Sequence, residues 1–196
     1  MEKIRLYLAD IRALDEKAGL ELISEQRRLR AMAMTDRQQR LHCIAAGMLL
    51  KTVLGVSDEE LVVGEHGKPE LKDGGVHFNI SHGGNYAILA LFAGDVGVDI
   101  EPIGDCVPEV PELIFTEKEL EWLGAKPTPT RFAVLWTRVE SVLKAQGGGF
   151  EGCSREHSVF DEGSPWHITT LMHEGHVISC AAGEAFETEA IEIKLV

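Results

Sequence analysis

The chain gives the same order of predicted elements twice: helical segments followed by three short strand-like runs. In the first half, a strand over residues 3–9 precedes a weakly helical segment over about 20–34 and a helix that begins at the capping box Thr35–Gln38 and ends at Gly55. The strand-like runs that follow are residues 76–81, 86–93 and 96–101. The second half gives helical segments over 115–123 and 131–146, then strands over 166–173, 176–183 and 188–195.

This order predicts an α+β fold in which each half combines helices with a three-stranded meander. We place the halves at residues 1–102 and 103–196. The pair Gly94–Asp95 predicts a tight hairpin turn between the second and third strands of the first half. The halves share no strong sequence identity, so any repeat is one of structure.

Length and composition indicate a globular protein of one domain or two small fused units, since 44% of the 196 residues are hydrophobic. No run approaches the roughly 20 apolar residues needed to span a bilayer, and the N-terminus lacks the apolar core of a secretory signal. We therefore expect a cytoplasmic protein that does not bind membranes. Four widely spaced cysteines without a CxxC pair favour reduced thiols: Cys43, Cys106, Cys153 and Cys180.

The net charge of −13 argues against nucleic-acid binding, which requires a positive surface. Residues 1–102 carry a net charge of −4 and residues 103–196 a net charge of −9. Five arginines are concentrated in the first half: Arg27, Arg28, Arg30, Arg37 and Arg40. Such a cluster is typical either of a site for a small anionic ligand or of a solvated helix face.

Two carboxylates stand two residues apart in the segment GVDIE, at Asp99 and Glu101. Side chains at this spacing share one face of a strand, with alpha carbons roughly 7 Å apart. Both can reach one hard cation such as magnesium. An exposed edge strand that turns two acids toward water is the commoner meaning of this spacing.

The segment WTRVESVLK predicts an amphipathic helix that carries an acid and a base on its flank. At about 100° per residue, one apolar stripe contains Phe132, Leu135, Trp136, Val139, Val142 and Leu143. Glu140 and Lys144 lie one turn apart beside this stripe. The pair is either a surface ion pair or one wall of an active site.

Other candidate ligand contacts lie in loops. In NISHGG, the hydroxyl of Ser81, the imidazole of His82 and backbone amides freed by glycines suit a phosphate group, although a turn-stabilising serine with an exposed histidine fits the pattern too. Lys68 is held in the loop GKP, where a proline stiffens its approach to an anion. The segment HEGH at 173–176 lacks the HExxH spacing of a metal site and is set aside.

Taken in order, the segments GKPEL, FNISH, VGVDIE, FTEKE and WTRVESVLKAQGGGF resemble the motifs of the 4'-phosphopantetheinyl transferases of the type that activates surfactin synthetase. The resemblance covers about residues 65–150. It implies an enzyme that moves phosphopantetheine from coenzyme A to a serine of an acyl or peptidyl carrier protein, using magnesium. It also implies two similar α+β halves about a pseudo-twofold axis, with coenzyme A at their junction.

The resemblance gives individual residues a role. Asp99, Glu101 and Glu140 would bind the metal, Glu140 would also help to accept the proton, and Lys144 would hold the coenzyme A pyrophosphate. The coenzyme A site would further be lined by Gly67, Lys68, Pro69, Ser81 and His82. Some of the arginines between 27 and 40 would meet the 3'-phosphate. The carrier itself, whether of fatty acid, polyketide or nonribosomal peptide biosynthesis, is left open, and we expect a monomeric enzyme.

Two positions depart from the family pattern. Val139 stands where the family usually has a lysine directly before the acid, and Gly83 stands where a serine usually follows the histidine. The sequence therefore leaves three hypotheses: an active transferase, a weakened homologue that binds coenzyme A or a carrier protein without efficient transfer, and an unrelated acidic interaction protein.

Overall fold

The computed structural model describes residues 2–64, 67–104, 114–148 and 155–194. Its helices are α1 (Glu16–Leu22), α2 (Glu25–Ala33), α3 (Arg37–Leu49), α4 (Glu117–Leu123) and α5 (Pro129–Gln146). Its strands are β1 (Glu2–Asp10), β2 (Leu61–Val63), β3 (Pro69–Leu71), β4 (His77–Gly83), β5 (Tyr86–Phe92), β6 (Val96–Pro102), β7 (His167–His173), β8 (His176–Ala182) and β9 (Phe186–Ile193). The predicted α+β class is confirmed. Outside the described residues lie Cys106, Cys153 and the end of the GGGF run at Gly149 and Phe150.

The strands form two main sheets and one small hairpin. A four-stranded sheet has the order β4-β5-β1-β9, in which β1 is antiparallel to β5 and parallel to β9. A three-stranded antiparallel sheet has the order β6-β8-β7, and β2 pairs with β3. Each of the two main sheets therefore contains strands from both sides of the predicted boundary at residue 102.

The meanders predicted for both halves are wrong, because β6 pairs with β8 instead of β5, and β9 pairs with β1 instead of β8. The pair Gly94–Asp95 consequently does not close a hairpin between neighbouring strands. The physical reason is that β6 is buried from Val96 to Ile100 and needs cover on both sides. α5 covers one face, and β4 approaches so closely that a Cβ at Gly83 would lie 2.2 Å from the Ile100 carbonyl oxygen.

A repeat is nevertheless visible in the strand order, displaced from the predicted boundary. β4-β5-β1 in one sheet corresponds to β7-β8-β6 in the other, with the same antiparallel pairings. Each unit thus consists of one strand, then helices, then a hairpin that packs against that strand. A pseudo-twofold axis between the units stays a prediction.

α5 begins and ends as its sequence signals indicate. Thr128 caps its N-terminus, Pro129 occupies the first turn, and Gly147 ends it with a left-handed backbone at φ 74°. The predicted apolar stripe is buried, with Trp136 only half-buried. Thr137 and Ser141 are buried as well, so the helix is covered on more than the stripe alone.

Among the described residues, Cys43 and Cys180 are buried free thiols, as predicted. In the same part of the chain, none of the helices has the length and apolar character that crossing a membrane requires.

Candidate active site

Three elements meet at the carboxylate of Asp99. β6 presents Asp99, which is 3% exposed, between β4 and α5. Its Oδ1 accepts hydrogen bonds from Ser81 Oγ at 2.7 Å and from Lys144 Nζ at 2.6 Å. Lys144 Nζ also donates to Ser81 Oγ at 3.0 Å, which closes a triangle of contacts. The structure thus brings together one predicted residue from each of three separate motifs.

The second oxygen of Asp99 has no hydrogen-bond partner, although it is buried. An unpartnered buried carboxylate oxygen is costly, because its hydration has been lost without replacement. A cation bound at Oδ2 would remove that cost. The observation therefore fits the divalent metal that the sequence predicts.

Glu140 and Glu101 border the same site. Glu140 lies on α5 with a side chain that is 15% exposed, and its Oε2 is 3.9 Å from Lys144 Nζ. Burial raises the pKa of Glu140, with Lys144 opposing the shift and Asp99 adding to it. Burial, and next the charge of Asp99, raises the pKa of Glu101 to about 7. Mutually repelling carboxylates of this kind gain stability when a cation joins them.

The described carboxylates do not form a complete metal site on their own. Among the described residues, no group of three or more His, Cys, Asp or Glu side chains is arranged to hold a metal ion by itself. Magnesium usually keeps several oxygen ligands from water and substrate phosphates, so one or two protein carboxylates are sufficient. Asp99 with its unpartnered oxygen is the residue whose environment fits such an ion best.

His82 lies at the end of β4, on the side of the sheet that faces α3. Its ring stacks on the ring of His42, with centroids 4.7 Å apart and planes 13° from parallel. Although the residue is in part exposed, partial loss of hydration lowers the pKa of His82, and the nearby Lys144 ammonium acts in the same direction. The sequence did not predict a role for His42, because this residue lies among apolar residues of α3 and belongs to none of the motifs.

The loop with Gly67, Lys68 and Pro69 approaches the site from the end of α5. Lys68 Nζ donates to the carbonyl oxygens of Ala145 at 3.1 Å and of Val96 at 3.3 Å. These contacts fasten the loop beside the helical turn that carries Lys144, while Lys68 does not contact the carboxylates. A cavity of about 290 Å³ opens next to the loop and is lined by Lys68 and Pro69, among others.

Several arginines of the cluster form ion pairs with acids of the same chain. Arg27 is buried and binds Asp58 through two nitrogens, at 2.5 and 2.9 Å. Arg37 and Arg40 both pair with Glu16, at 3.3 and 2.5 Å. The surface charge available to an anion is therefore smaller than the sequence alone suggests.

Arg138 does not replace the lysine that the family has before the acid. It donates to the carbonyl oxygen of Val159 at 2.6 Å and to Thr170 Oγ1 at 3.2 Å. Val139 itself is 0% exposed and packs with Leu135 and Leu143 in the core against which α5 lies. Its side chain therefore does not point to the carboxylate site.

Comparisons with known proteins agree on one family. The family model described as the 4'-phosphopantetheinyl transferase superfamily matches residues 95–181, which include Asp99, Glu140 and Lys144. The chain is 37% identical over 102 residues to the 4'-phosphopantetheinyl transferase gsp of Aneurinibacillus migulanus, covering 50% of this chain and 43% of that protein.

Two further relatives are similar over longer segments. Identity to the 4'-phosphopantetheinyl transferase Sfp of Bacillus subtilis (strain 168) is 29% over 140 residues, which is 66% of this chain and 62% of that protein. Identity to the 4'-phosphopantetheinyl transferase AcpT of Salmonella typhimurium is 33% over 117 residues, which is 56% of this chain and 60% of that protein. The matches thus span from under half to about three-fifths of the length of these relatives.

Proposed function

This chain belongs to the 4'-phosphopantetheinyl transferase superfamily, and from that membership we propose that it transfers the 4'-phosphopantetheine group of coenzyme A to a serine hydroxyl of an acyl or peptidyl carrier protein. The observation that supports the proposal most directly is the carboxylate of Asp99. One of its oxygens is held by Ser81 and Lys144, and the other is buried without a partner.

Each residue of the site has a part in this reaction. The carrier serine oxygen attacks the β-phosphorus of coenzyme A in line, the bond to the leaving α-phosphate oxygen breaks, and adenosine 3',5'-bisphosphate departs. Glu140, whose pKa is raised, is suited to accept the serine proton. Lys144 carries three N–H donors and uses two of them on Asp99 and Ser81, which leaves one for a pyrophosphate oxygen.

Magnesium would be held by Asp99, Glu101 and Glu140 together with oxygens of the pyrophosphate, whose charge it would neutralise when bound. Gly67, Lys68 and Pro69 would border coenzyme A from the end of α5. Ser81 and His82 would border it from the end of β4. The arginines that retain an exposed side chain, such as Arg30, would contact the 3'-phosphate.

A second candidate function is that of a weakened homologue that binds coenzyme A or a carrier protein without efficient transfer. Val139 motivates it, because the positive charge that the family has beside the acid is absent. The burial of Val139 argues against it, since a side chain at this position faces the core and not the carboxylates. We therefore favour the active enzyme.

Mass spectrometry of carrier proteins tests the proposal. Purified protein, coenzyme A and magnesium are incubated with apo carriers from fatty acid, polyketide and nonribosomal peptide synthesis, and the carrier serine is expected to gain one phosphopantetheine group. A reaction with chelator in place of magnesium is the control. Bound coenzyme A without transfer to any carrier would favour the weakened homologue, and absence of coenzyme A binding would contradict both functions.

A further inference from the structure

His42 is a buried titratable residue to which the proposed chemistry gives no part. It is 5% exposed on α3, where every residue from Leu41 to Leu49 is buried. A polar ring in such a place costs free energy unless it finds partners. Its partners are therefore informative about its role.

The first partner of His42 is the turn that follows His82. His42 Nε2 donates to the carbonyl oxygen of Gly84 at 3.0 Å, and Gln38 Nε2 donates to the same oxygen at 2.6 Å. Gln38 and His42 are four residues apart and thus share one face of α3. The Gly84 carbonyl oxygen thus accepts two hydrogen bonds, and both of them come from α3.

The turn is confined on its other side as well. Gly84 has a left-handed backbone at φ 52°, and a Cβ there would lie 2.3 Å from His176 Nε2. His176 Nε2 also accepts a hydrogen bond from the Asn85 amide at 3.3 Å. The segment HEGH, which the sequence analysis set aside as a metal site, thus provides the opposite wall for this turn.

The second partner is the His82 ring. The two rings lie nearly parallel at 4.7 Å, so His42 covers one face of the His82 imidazole, while His82 as a residue stays exposed. Burial, and next the proximity of His82, lowers the pKa of His42 to about 4, so its ring is neutral near neutral pH. Because the His42 ring is neutral, it does not repel His82 when the His82 ring is protonated and binds an anion.

We propose that His42 is a positioning residue, which fixes the His82 imidazole by stacking on it and by holding the Gly84 turn, so that the part of the ring that His42 leaves uncovered meets a phosphate group of coenzyme A. This role rests on the proposed function, because coenzyme A is the ligand that His82 would contact. It extends the site to α3, which none of the motifs includes.

Two variants separate the parts of this role. His42→Gln keeps a donor for Gly84 but removes the ring, and His42→Phe keeps a ring but removes the donor. His167→Gln, at an exposed position of β7, is the matched control. The readouts are the NMR shifts of the His82 ring protons, coenzyme A affinity by calorimetry, and the KM and kcat of transfer.

In His42→Gln the His82 ring protons are expected to lose the shift caused by the neighbouring ring. Coenzyme A affinity is expected to fall about tenfold, as for the weakening of one hydrogen bond to a charged group, with kcat at saturating coenzyme A nearly kept. His42→Phe is expected to keep the ring shift in part and to lose less affinity. The control should behave as wild type.

Unchanged His82 shifts and coenzyme A affinity in His42→Gln, with wild-type protein active, would overturn this role alone. An equal loss of thermal stability and kcat in both variants without any change in affinity would show a merely structural residue and overturn it too. Wild-type protein that binds no coenzyme A would instead refute the proposed function, and the positioning role with it.

Discussion

The two oxygens of Asp99 have different environments, and the difference is what makes this residue a candidate ligand. Ser81 and Lys144 both bond to Oδ1, whereas Oδ2 is buried without a partner. A purely structural ion pair would satisfy both oxygens. The carboxylate is therefore oriented, with one oxygen anchored and the other available.

Removing a site carboxylate is expected to abolish magnesium-dependent transfer while the fold remains. Asp99→Ala and Glu140→Ala each take away a candidate ligand, and relieved repulsion among the acids offsets part of the stability that Asp99→Ala loses with its bonds to Ser81 and Lys144. Glu121→Ala, at an exposed acid of α4, is the control. Transfer is measured on the carrier by mass spectrometry, and undiminished activity in either site variant would refute the carboxylate assignment.

Restoring the family lysine at position 139 is expected to damage this protein. Val139 is 0% exposed, so Val139→Lys buries an ammonium without a partner and lowers the free energy of unfolding by about 3 kcal/mol or more. Val134→Lys, at a half-buried position of the same helix, should cost less because its charge reaches water. Urea unfolding compares the two, and a Val139→Lys variant that works as a transferase where the native protein is inert would contradict the active-enzyme proposal for the native chain.

His42 makes the fold sensitive to acid. Its folded pKa of about 4 lies below the unfolded value near 6.5, so its contribution to stability is complete above about pH 6.5 and is lost as the pH falls toward 4. Burial and His82 cause the lowering, which the bond to Gly84 and the charge of Asp36 oppose. From about pH 7.5 to pH 5 the loss is at most about 2 kcal/mol.

Urea unfolding at the two pH values measures this effect. The difference between them should be smaller in His42→Gln than in wild type, while His167→Gln should match wild type. An identical pH dependence in all three proteins would show that His42 does not charge on unfolding.

At the scale of elements, the contact between β6 and α5 depends on a glycine. A Cβ at Gly97 would lie 1.9 Å from the Ser141 carbonyl oxygen and 2.5 Å from the Ala145 nitrogen. Both atoms belong to the backbone of α5 and cannot move aside locally. Gly97 thus allows the strand that carries Asp99 to lie directly against the helix that carries Glu140 and Lys144.

Gly97→Ala is therefore expected to lower the free energy of unfolding by about 1–3 kcal/mol and to reduce transfer, because the carboxylates move apart. Gly163→Ala is the control, since a Cβ there meets nothing and the backbone has no positive φ. Stability is measured in urea and transfer on the carrier. Wild-type values for Gly97→Ala would show that β6 and α5 are less closely packed than the structure indicates.

The close approach of β4 to β6 also explains why Gly83 stands where the family pattern has a serine. A side chain there would meet the Ile100 carbonyl oxygen at 2.2 Å, so β4 and β6 can lie together only without one. The serine of the family pattern does not fit this packing.

Local features were predictable from the sequence, and long-range contacts were not. The end of α5 at Gly147 and the burial of Val139 follow from helical periodicity and the glycine run, whereas the helix starts at Pro129 after the Thr128 cap, two residues before the predicted start at 131. The pairing of β6 with β8 depends on residues some 80 positions away, which no local pattern encodes. The stacking of His42 on His82 likewise joins separate elements.

Strand pairing joins the two sides of the predicted boundary at residue 102. β6 lies before that boundary but pairs with β8, and β9 lies after it but pairs with β1 over eight residues, from Glu2↔Phe186 to Ala9↔Ile193. The division into halves at residue 102 stays a prediction, and the strand pairing gives a reason to expect one cooperative unit.

The last strand protects β1, and removing it is expected to destabilise the whole molecule. Ile4 and Leu6 of β1 are fully buried, whereas β9 is an edge strand that turns glutamates such as Glu187 and Glu189 outward. Charged side chains of this kind hinder edge-to-edge association. A chain shortened by residues 184–196 would expose the unpaired edge of β1, so we expect a lower urea midpoint for all parts of the protein together and visible association in light scattering.

A chain shortened by residues 194–196 keeps β9 and is the matched control, expected to match wild type. The transition is followed by tryptophan fluorescence, which reports on the second half because Trp122, Trp136 and Trp166 all lie there, and by far-ultraviolet circular dichroism for the whole chain. Because β1 and β6 each belong to a sheet that the other half of the chain completes, both signals should shift by the same amount. Loss of the β1 sheet with an unchanged tryptophan transition would show instead that the halves unfold independently, and the boundary would then describe two real domains.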